Sequence, residues 1–173
     1  MITDTLLTKE LFTSLDSTSS ELLELISSAD STTLDTVPFK DSWTAAQLAS
    51  HVTKSNNAIT QALNMVGKTA ERNPDDRAEE LKEMFLNFNT KFKSPDFILP
   101  TQDTYNKDML FKDLEKSIVQ LKEIGNKINL GEIISLPAFG EITKLELLHF
   151  VLYHTKRHIH QLKKIFKVWE KKA

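Results

Sequence analysis

The feature that most constrains the fold of this chain is a long amphipathic segment near its C-terminus, residues 143–169. Thr143 and Glu146 stand at its start with the spacing of a capping box, in which each side chain bonds the backbone of the other residue. Apolar residues then recur at spacings of three and four, namely Leu145, Leu148, Leu152, Ile159, Leu162, Phe166 and Trp169. This spacing predicts one long helix that buries a single apolar stripe.

Four earlier segments show the same helical periodicity: residues 5–29, 44–66, 73–92 and 107–128. The second of them begins with Thr44 and Gln47, which form another capping-box pattern, and it ends before Gly67, a common residue type after a helix C-terminus. The third is shorter and begins with Asn73 and Pro74, a capping residue followed by a proline suited to the first turn.

The segments between these helices are predicted to be loops. Residues 94–105 contain two prolines, and residues 129–140 form a loop with a short extended piece at 133–136. The chain has only four glycines and five prolines, which favours long helices over a turn-rich β architecture. We therefore expect an all-α fold: an up-down four-helix bundle with a short extra helix after the second long helix, in a single domain spanning residues 1–173.

Composition excludes several classes of protein and of chemistry. With 40% hydrophobic and 27% charged residues and no long apolar run, the chain is expected to be cytoplasmic, without a membrane span. A net charge of −2 indicates no nucleic-acid partner. Because there is no cysteine, disulfides, thiolate zinc sites and a cysteine nucleophile are all excluded.

Charge is distributed unevenly along the chain. Residues 1–36 carry seven acidic side chains and one basic one, whereas residues 151–173 carry seven basic side chains and one acidic one. Lysines near a helix C-terminus suit the helix dipole, which favours a solvated helix end. Packing of the first helix against the last, or a basic rim for an acidic ligand, are the alternatives.

Four of the five histidines lie in the last helix. His154 and His158 are one turn apart on the flank of the buried face, so both imidazoles point the same way and can offer two nitrogens to one metal ion. His149 lies on the other flank, and His160 shares a row with lysines. His51 in the second helix lies in a row of small side chains. Each of these histidines has the alternative of an ordinary hydrogen-bonded core or boundary residue.

Two stretches, SWTAAQLASHV in the second helix and LPAFGEITKLELLHFVLYHTKRHIHQL at the last, resemble the DinB-like (DinB/YfiT) four-helix bundles. The likeness in helix layout extends over nearly the whole chain. In that family a histidine of the second helix and an HxxxH pair of the last helix bind a divalent metal. The resemblance assigns these roles to His51, His154 and His158, with zinc or nickel as the expected metal and iron or manganese as alternatives.

The family includes thiol-dependent S-transferases and isomerases that use bacillithiol, mycothiol or glutathione, and many members without an assigned activity. Three neutral imidazoles leave an open coordination position, where a small-molecule thiol would be held as the thiolate and attack an electrophilic substrate. Lys156 or Arg157 is a candidate for binding a carboxylate of that cosubstrate, and Gln161 is a candidate for supporting the site. Solvated surface residues are the alternative for all three. The resemblance also implies a homodimer.

Two other functions are compatible with these residues. Metal-dependent hydrolysis would use the open position for water, although no carboxylate stands at a spacing that marks it as a general base. The second alternative is a bundle that binds a metal or small ligand in a stress response, without turnover.

Overall fold

The computed structural model describes residues 2–171, with side chains from residue 6 onward. Its elements in chain order are α1 (Ile2–Ser28), α2 (Ser31–Asp35), α3 (Ala45–Leu63), β1 (Lys68–Thr69), α4 (Ala78–Leu86), α5 (Lys107–Gly125), β2 (Glu132–Leu136), β3 (Gly140–Thr143) and α6 (Lys144–Glu170). A single 3₁₀ turn, Asp96–Ile98, lies between α4 and α5. The long helices α1, α3, α5 and α6 form a bundle, and the short α4 follows the second of them, which confirms the predicted four-helix bundle with a short extra helix.

Within the bundle, α1 and α3 each pack against both α5 and α6. The N-terminus of α5 lies at the C-terminal end of α1, where Lys107 Nζ donates a hydrogen bond of 2.6 Å to the carbonyl of Ala29. The other end of α5 lies near the start of α1, where Gly125 allows a close approach: a Cβ there would lie 3.2 Å from the ring of Phe12. Helices α1 and α5 are therefore antiparallel.

Helix α6 runs parallel to α1, because Leu148 and Phe12 both lie at Gly125 and, further along both helices, Lys163 pairs with Glu21 at 2.5 Å. Helix α3 runs antiparallel to α6, because its end shares one apolar cluster with the start of α6 and its start shares the other cluster with residues 159–165. Helices α1, α3, α5 and α6 therefore run up, down, down and up in chain order, and α3 and α5 are parallel neighbours. This differs from the simple up-down alternation that we expected. The physical reason is the long connection of residues 64–106, which is able to return along the whole bundle before α5 begins.

Both predicted capping boxes are present. At α6, Thr143 Oγ1 accepts from the backbone N–H of Glu146 at 3.1 Å, and Glu146 Oε2 accepts from the N–H of Thr143 at 2.9 Å. Thr44 and Gln47 make the same reciprocal pair at α3. Each box satisfies two backbone donors that a helix start would otherwise leave unpaired, and so determines where these two helices begin.

The start of α4 differs from the prediction. Residues 74–77 form turns, and the helix runs from Ala78 to Leu86 instead of from Asn73 to Phe92. The turns are held by bonds to the start of α6: Thr143 Oγ1 donates to the carbonyl of Pro74, and the N–H of Arg77 donates to Glu146 at 2.9 Å. These tertiary bonds outweigh the local preference of the proline for the first turn of a helix.

A small antiparallel sheet, in the order β1-β2-β3, is the difference from an all-α fold. The extended piece expected at residues 133–136 is confirmed as part of β2. Gly140, with φ of +66°, follows the turn that joins β2 to β3, and Ile134 pairs with Ile142 to bury two side chains against the bundle. Strands of two to five residues are too short to produce a recognisable period-2 pattern.

The apolar core consists of two clusters, one toward each end of the bundle. On α6, residues 147–153 belong to the first cluster and residues 159–165 to the second, so residues 154–158 lie at the border between them. None of the helices between residues 2 and 171 combines the length and the apolar character that crossing a bilayer requires.

Candidate metal centre

Three histidines meet at the border between the two apolar clusters. Helix α3 contributes His51, and α6 contributes His154 and His158 from successive turns; their exposed fractions are 1%, 7% and 6%. Nε2 of His154 lies 3.2 Å from Nε2 of His51 and 2.9 Å from Nε2 of His158. One ligand atom from each ring lies within 4.8 Å of the other two, and no second cluster of this kind occurs in the described part of the chain. The structure therefore brings together all three residues that the resemblance pointed to.

The hydrogen bonds on the far side of two rings determine which nitrogen carries a proton. Nδ1 of His51 lies 3.0 Å from the carbonyl oxygen of Ile98, and Nδ1 of His158 lies 2.5 Å from Oε1 of Gln161. Both oxygens can only accept, so both Nδ1 atoms donate. In a neutral imidazole the other nitrogen then has a free lone pair, which means that Nε2 of His51 and of His158 both face His154 as acceptors.

This arrangement fits a divalent cation. Nε2 of His154 has at most one proton to donate to the two acceptors that face it, whereas a cation would accept a lone pair from all three rings. Histidine nitrogens bound at about 2.0–2.1 Å around a tetrahedral zinc ion lie about 3.3 Å apart. The observed separations of 2.9 and 3.2 Å are close to that spacing. Three neutral ligands also leave the full charge of the ion available to a further ligand.

Burial keeps the three rings neutral. It lowers the pKa of His51, and it lowers the pKa of His154 well below its usual value, with the neighbouring His158 and His51 adding to the effect. Burial is also the main cause that lowers the pKa of His158 to about 3. Near neutral pH all three histidines are therefore in the uncharged form that metal binding requires.

The histidines form the buried part of a cleft of about 940 Å³. Aromatic side chains form part of its walls: Trp43, Phe85, Phe92, Phe97, Phe139 and Phe150. The ring of Trp43 lies 5.1 Å from that of His51, and Phe150 stacks on His154 at 5.0 Å. A cavity of this size with mainly apolar walls is typical of small-molecule sites.

Arg157 is buried, with 7% of its surface exposed, and is not a solvated surface charge. Its guanidinium donates to the backbone carbonyls of Phe85 at 3.2 Å, of Asn87 at 2.9 Å and of Thr90, and it lies 4.8 Å above the ring of Phe92. Arg157 lines the cleft, but its two terminal nitrogens are already bonded to the chain. Its visible effect is to hold residues 85–92 over the cleft.

Gln161 contacts the site through His158, in the supporting position considered from the sequence. The other two histidines of α6 are separate from the cluster: His149 lies 3.4 Å from the hydroxyl of Tyr153, and His160 stacks on Phe88 at 3.9 Å. Sequence reasoning missed the carbonyl of Ile98. Any residue type carries that group, so no residue pattern marks it.

Comparison with known proteins gives matches over most of the chain. The family model of the DinB superfamily matches residues 14–162. YuaE from Bacillus subtilis (strain 168), an uncharacterized protein, is 27% identical over 143 residues, which cover 76% of this chain and 82% of YuaE.

Two solved structures share the fold. TT2238, a four-helix bundle protein, matches with a TM-score of 0.61 and 19% identity over 90% of this chain and 98% of its own. YfiT from Bacillus subtilis, described as a probable metal-dependent hydrolase with an unusual four-helix bundle topology, matches with a TM-score of 0.61 and 13% identity, covering 92% of this chain and 85% of YfiT. At these identities the likeness concerns the fold alone.

Proposed function

This chain belongs to the DinB superfamily, and we propose that it is a metal-dependent transferase that joins a small-molecule thiol to an electrophilic substrate. The observation that carries the proposal is the convergence of three buried, neutral imidazoles on one point of an apolar cleft. His51, His154 and His158 would hold a divalent ion, which, when bound, lowers the pKa of a coordinated thiol or water. Zinc or nickel is the expected metal, and iron or manganese suits the same ligands.

The chain's own residues support this chemistry in three ways. The carbonyl of Ile98 and the amide of Gln161 hold two of the ligand rings in one tautomer and one orientation. The aromatic walls limit access of water to the histidines and provide an apolar surface for an organic substrate. Since the chain contains no cysteine, the thiol has to arrive with the cosubstrate.

Metal-dependent hydrolysis is the second candidate, and the description of YfiT favours it. A general base near the attacking water assists such hydrolysis. Among the described residues that line the cleft, Asp41 is the only acidic one, and it is an exposed turn residue. This scarcity of carboxylates is the reason for preferring thiol transfer.

The metal site is tested by elemental analysis of purified protein after dialysis. We expect about one divalent ion per chain in the wild type and strong depletion in His154→Ala. His160→Ala, which alters a histidine of the same helix outside the cluster, is the matched control and should retain the metal. Equal metal content in wild type and His154→Ala would remove the basis of the proposal.

The reaction is tested with the metal-loaded protein, a panel of small-molecule thiols and the electrophile monochlorobimane. Thiol-dependent conjugation that is lost in His154→Ala supports the transferase. Thiol-independent cleavage of ester or amide substrates supports the hydrolase instead. The absence of both reactions in a protein that binds metal would leave a binding protein.

A further inference from the structure

Four lysines surround the mouth of the cleft without an acidic partner. Lys40 lies in the turn before α3, Lys91 and Lys93 lie in the segment after α4, and Lys164 lies on α6. All four are exposed, and none lies within ion-pair distance of a carboxylate in the described part of the chain. Three separate segments therefore bring unpaired positive charge to one opening.

This concentration of positive charge is local. The chain as a whole carries 22 basic and 24 acidic residues, for a net charge of −2. Asp41 is the only acidic residue among those that line the cleft. The lysine-rich C-terminal part of the chain, for which a basic rim was one alternative, contributes Lys164 to it. Cationic residues around a concave apolar site raise the local concentration of anions.

The segment that carries two of the lysines is held in place. Phe92 lies between Lys91 and Lys93 in the sequence, and its ring stacks on Phe85 at 5.3 Å and under the guanidinium of Arg157. The bonds from Arg157 to the carbonyls of residues 85, 87 and 90 fix the backbone that leads to it. The side chains of Lys91 and Lys93 thus extend from a backbone that is held beside the cleft.

The mouth also exposes apolar surface next to these charges. Phe97 is 70% exposed and Phe39, beside Lys40, is 48% exposed, and both line the same cleft. A ligand that matches this surface has negative groups at one end and an apolar or aromatic body. The cleft volume of about 940 Å³ is in the range of small-molecule sites, which favours a small molecule over an acidic protein segment.

We propose that the cleft binds a small organic anion whose charged groups pair with Lys40, Lys91, Lys93 and Lys164, and whose apolar body lies between the aromatic walls. The inference rests on the proposed function, because it assigns negative charge to one of the two substrates of that reaction. Its test depends neither on turnover nor on bound metal, so the two proposals fail separately.

The test compares two fluorescent probes of similar shape, the anionic 8-anilinonaphthalene-1-sulfonate and the neutral N-phenyl-1-naphthylamine. Both are titrated into the full chain at low ionic strength, as isolated and after treatment with EDTA. The test variant is Lys91→Gln/Lys93→Gln/Lys164→Gln. The control is Lys112→Gln/Lys116→Gln/Lys127→Gln, which removes the same charge from exposed positions outside the cleft.

We expect the test variant to weaken binding of the anionic probe by about tenfold, and added salt to reduce this difference. Binding of the neutral probe should change less than about twofold, and the control variant should change anionic binding less than about threefold. The lysine dependence should persist after EDTA treatment, because it does not come from a metal charge.

Equal weakening in the control variant would mean that only the overall charge matters, and would overturn the proposal. Equal weakening of the neutral probe would overturn it as well. A ten-residue polyglutamate peptide is the third titrant: tighter, lysine-dependent binding of the peptide than of the dye would assign the surface to an acidic protein segment instead. Thiol transfer by the metal-loaded protein, together with binding of the anionic probe that is unchanged in the test variant, would leave the transferase standing and overturn this inference alone.

Discussion

Nδ1 of His158 donates a hydrogen bond of 2.5 Å to the amide oxygen of Gln161, three residues further along α6. The bond holds the ring so that its other nitrogen lies 2.9 Å from Nε2 of His154. It also leaves that nitrogen without a proton, as a metal ligand must be. A residue that contacts no metal itself thereby determines how one of the ligands is presented.

Replacing this acceptor should weaken metal binding without unfolding the protein. We expect Gln161→Leu to reduce metal affinity about 10- to 100-fold, the usual effect of removing a hydrogen bond behind a ligating histidine. Affinity is measured by competition with a chromophoric chelator, with circular dichroism as the check on folding. Gln161→Glu keeps an acceptor and should retain binding; an unchanged affinity in Gln161→Leu would contradict the role.

Arg157 should matter for stability through the carbonyls that it bonds. Arg157→Met leaves the carbonyls of Phe85, Asn87 and Thr90 without this donor and removes the cation from the ring of Phe92. We expect a loss of about 2–4 kcal/mol in the free energy of unfolding, measured by urea denaturation. The neighbouring Lys156→Met alters an exposed side chain and should have little effect. Similar stability of the two variants would show that the carbonyls find other partners.

The carboxylate of Glu146 is fully buried and is held by four donors: two nitrogens of Arg72 at 2.5 and 2.7 Å, and the backbone N–H groups of Arg77 and Thr143, each at 2.9 Å. Burial alone would raise the pKa of Glu146, but the bonds to Arg72, Thr143 and Arg77 outweigh it and lower that pKa. This one side chain joins the start of α6 to the segment before α4.

Glu146→Gln should therefore destabilise the protein by about 2–4 kcal/mol, because it leaves a partly buried guanidinium without its counter-charge. Urea denaturation at pH 7 measures the change. Glu79→Gln removes the partner of Lys82 in an exposed ion pair and serves as the control, with little change expected. A small effect of Glu146→Gln would mean that the hydrogen bonds matter and the charge does not.

The metal-free protein should lose stability as the pH falls below 6.5. Burial lowers the pKa of His51, His154 and His158, so the unfolded chain takes up protons between pH 6.5 and about 3 that the folded protein does not. The full stability is present above pH 6.5, and each histidine contributes a slope of up to about 1.4 kcal/mol per pH unit below it. Unfolding in urea with EDTA at pH 7.5, 6.5, 5.5 and 4.5 measures the slope.

His154→Asn removes one of the titrating groups and should flatten this dependence. His160→Gln, at a half-buried position outside the cluster, should retain most of it. A wild-type free energy of unfolding that is constant between pH 7.5 and 5 would mean that the cluster is open to protons in the folded state.

The sequence by itself determined the local features of this protein. The starts of α3 and α6 were readable because each capping box joins residues three positions apart. The pairing of His154 with His158 on one side of α6 was readable for the same reason, since residues four apart on a helix point the same way. The period of the apolar residues identified the four long helices of the bundle.

The tertiary structure alone decided what joins distant parts of the chain. It places His51 beside His154, and it places the carbonyl of Ile98 within hydrogen-bond distance of His51. It also bonds Arg157 to the segment after α4 and sets the start of α4 at Ala78. It also set the parallel arrangement of α3 and α5 and the small sheet. The physical reason is that local periodicity specifies how each helix begins and which face it buries, whereas contacts between segments depend on how those faces pack together.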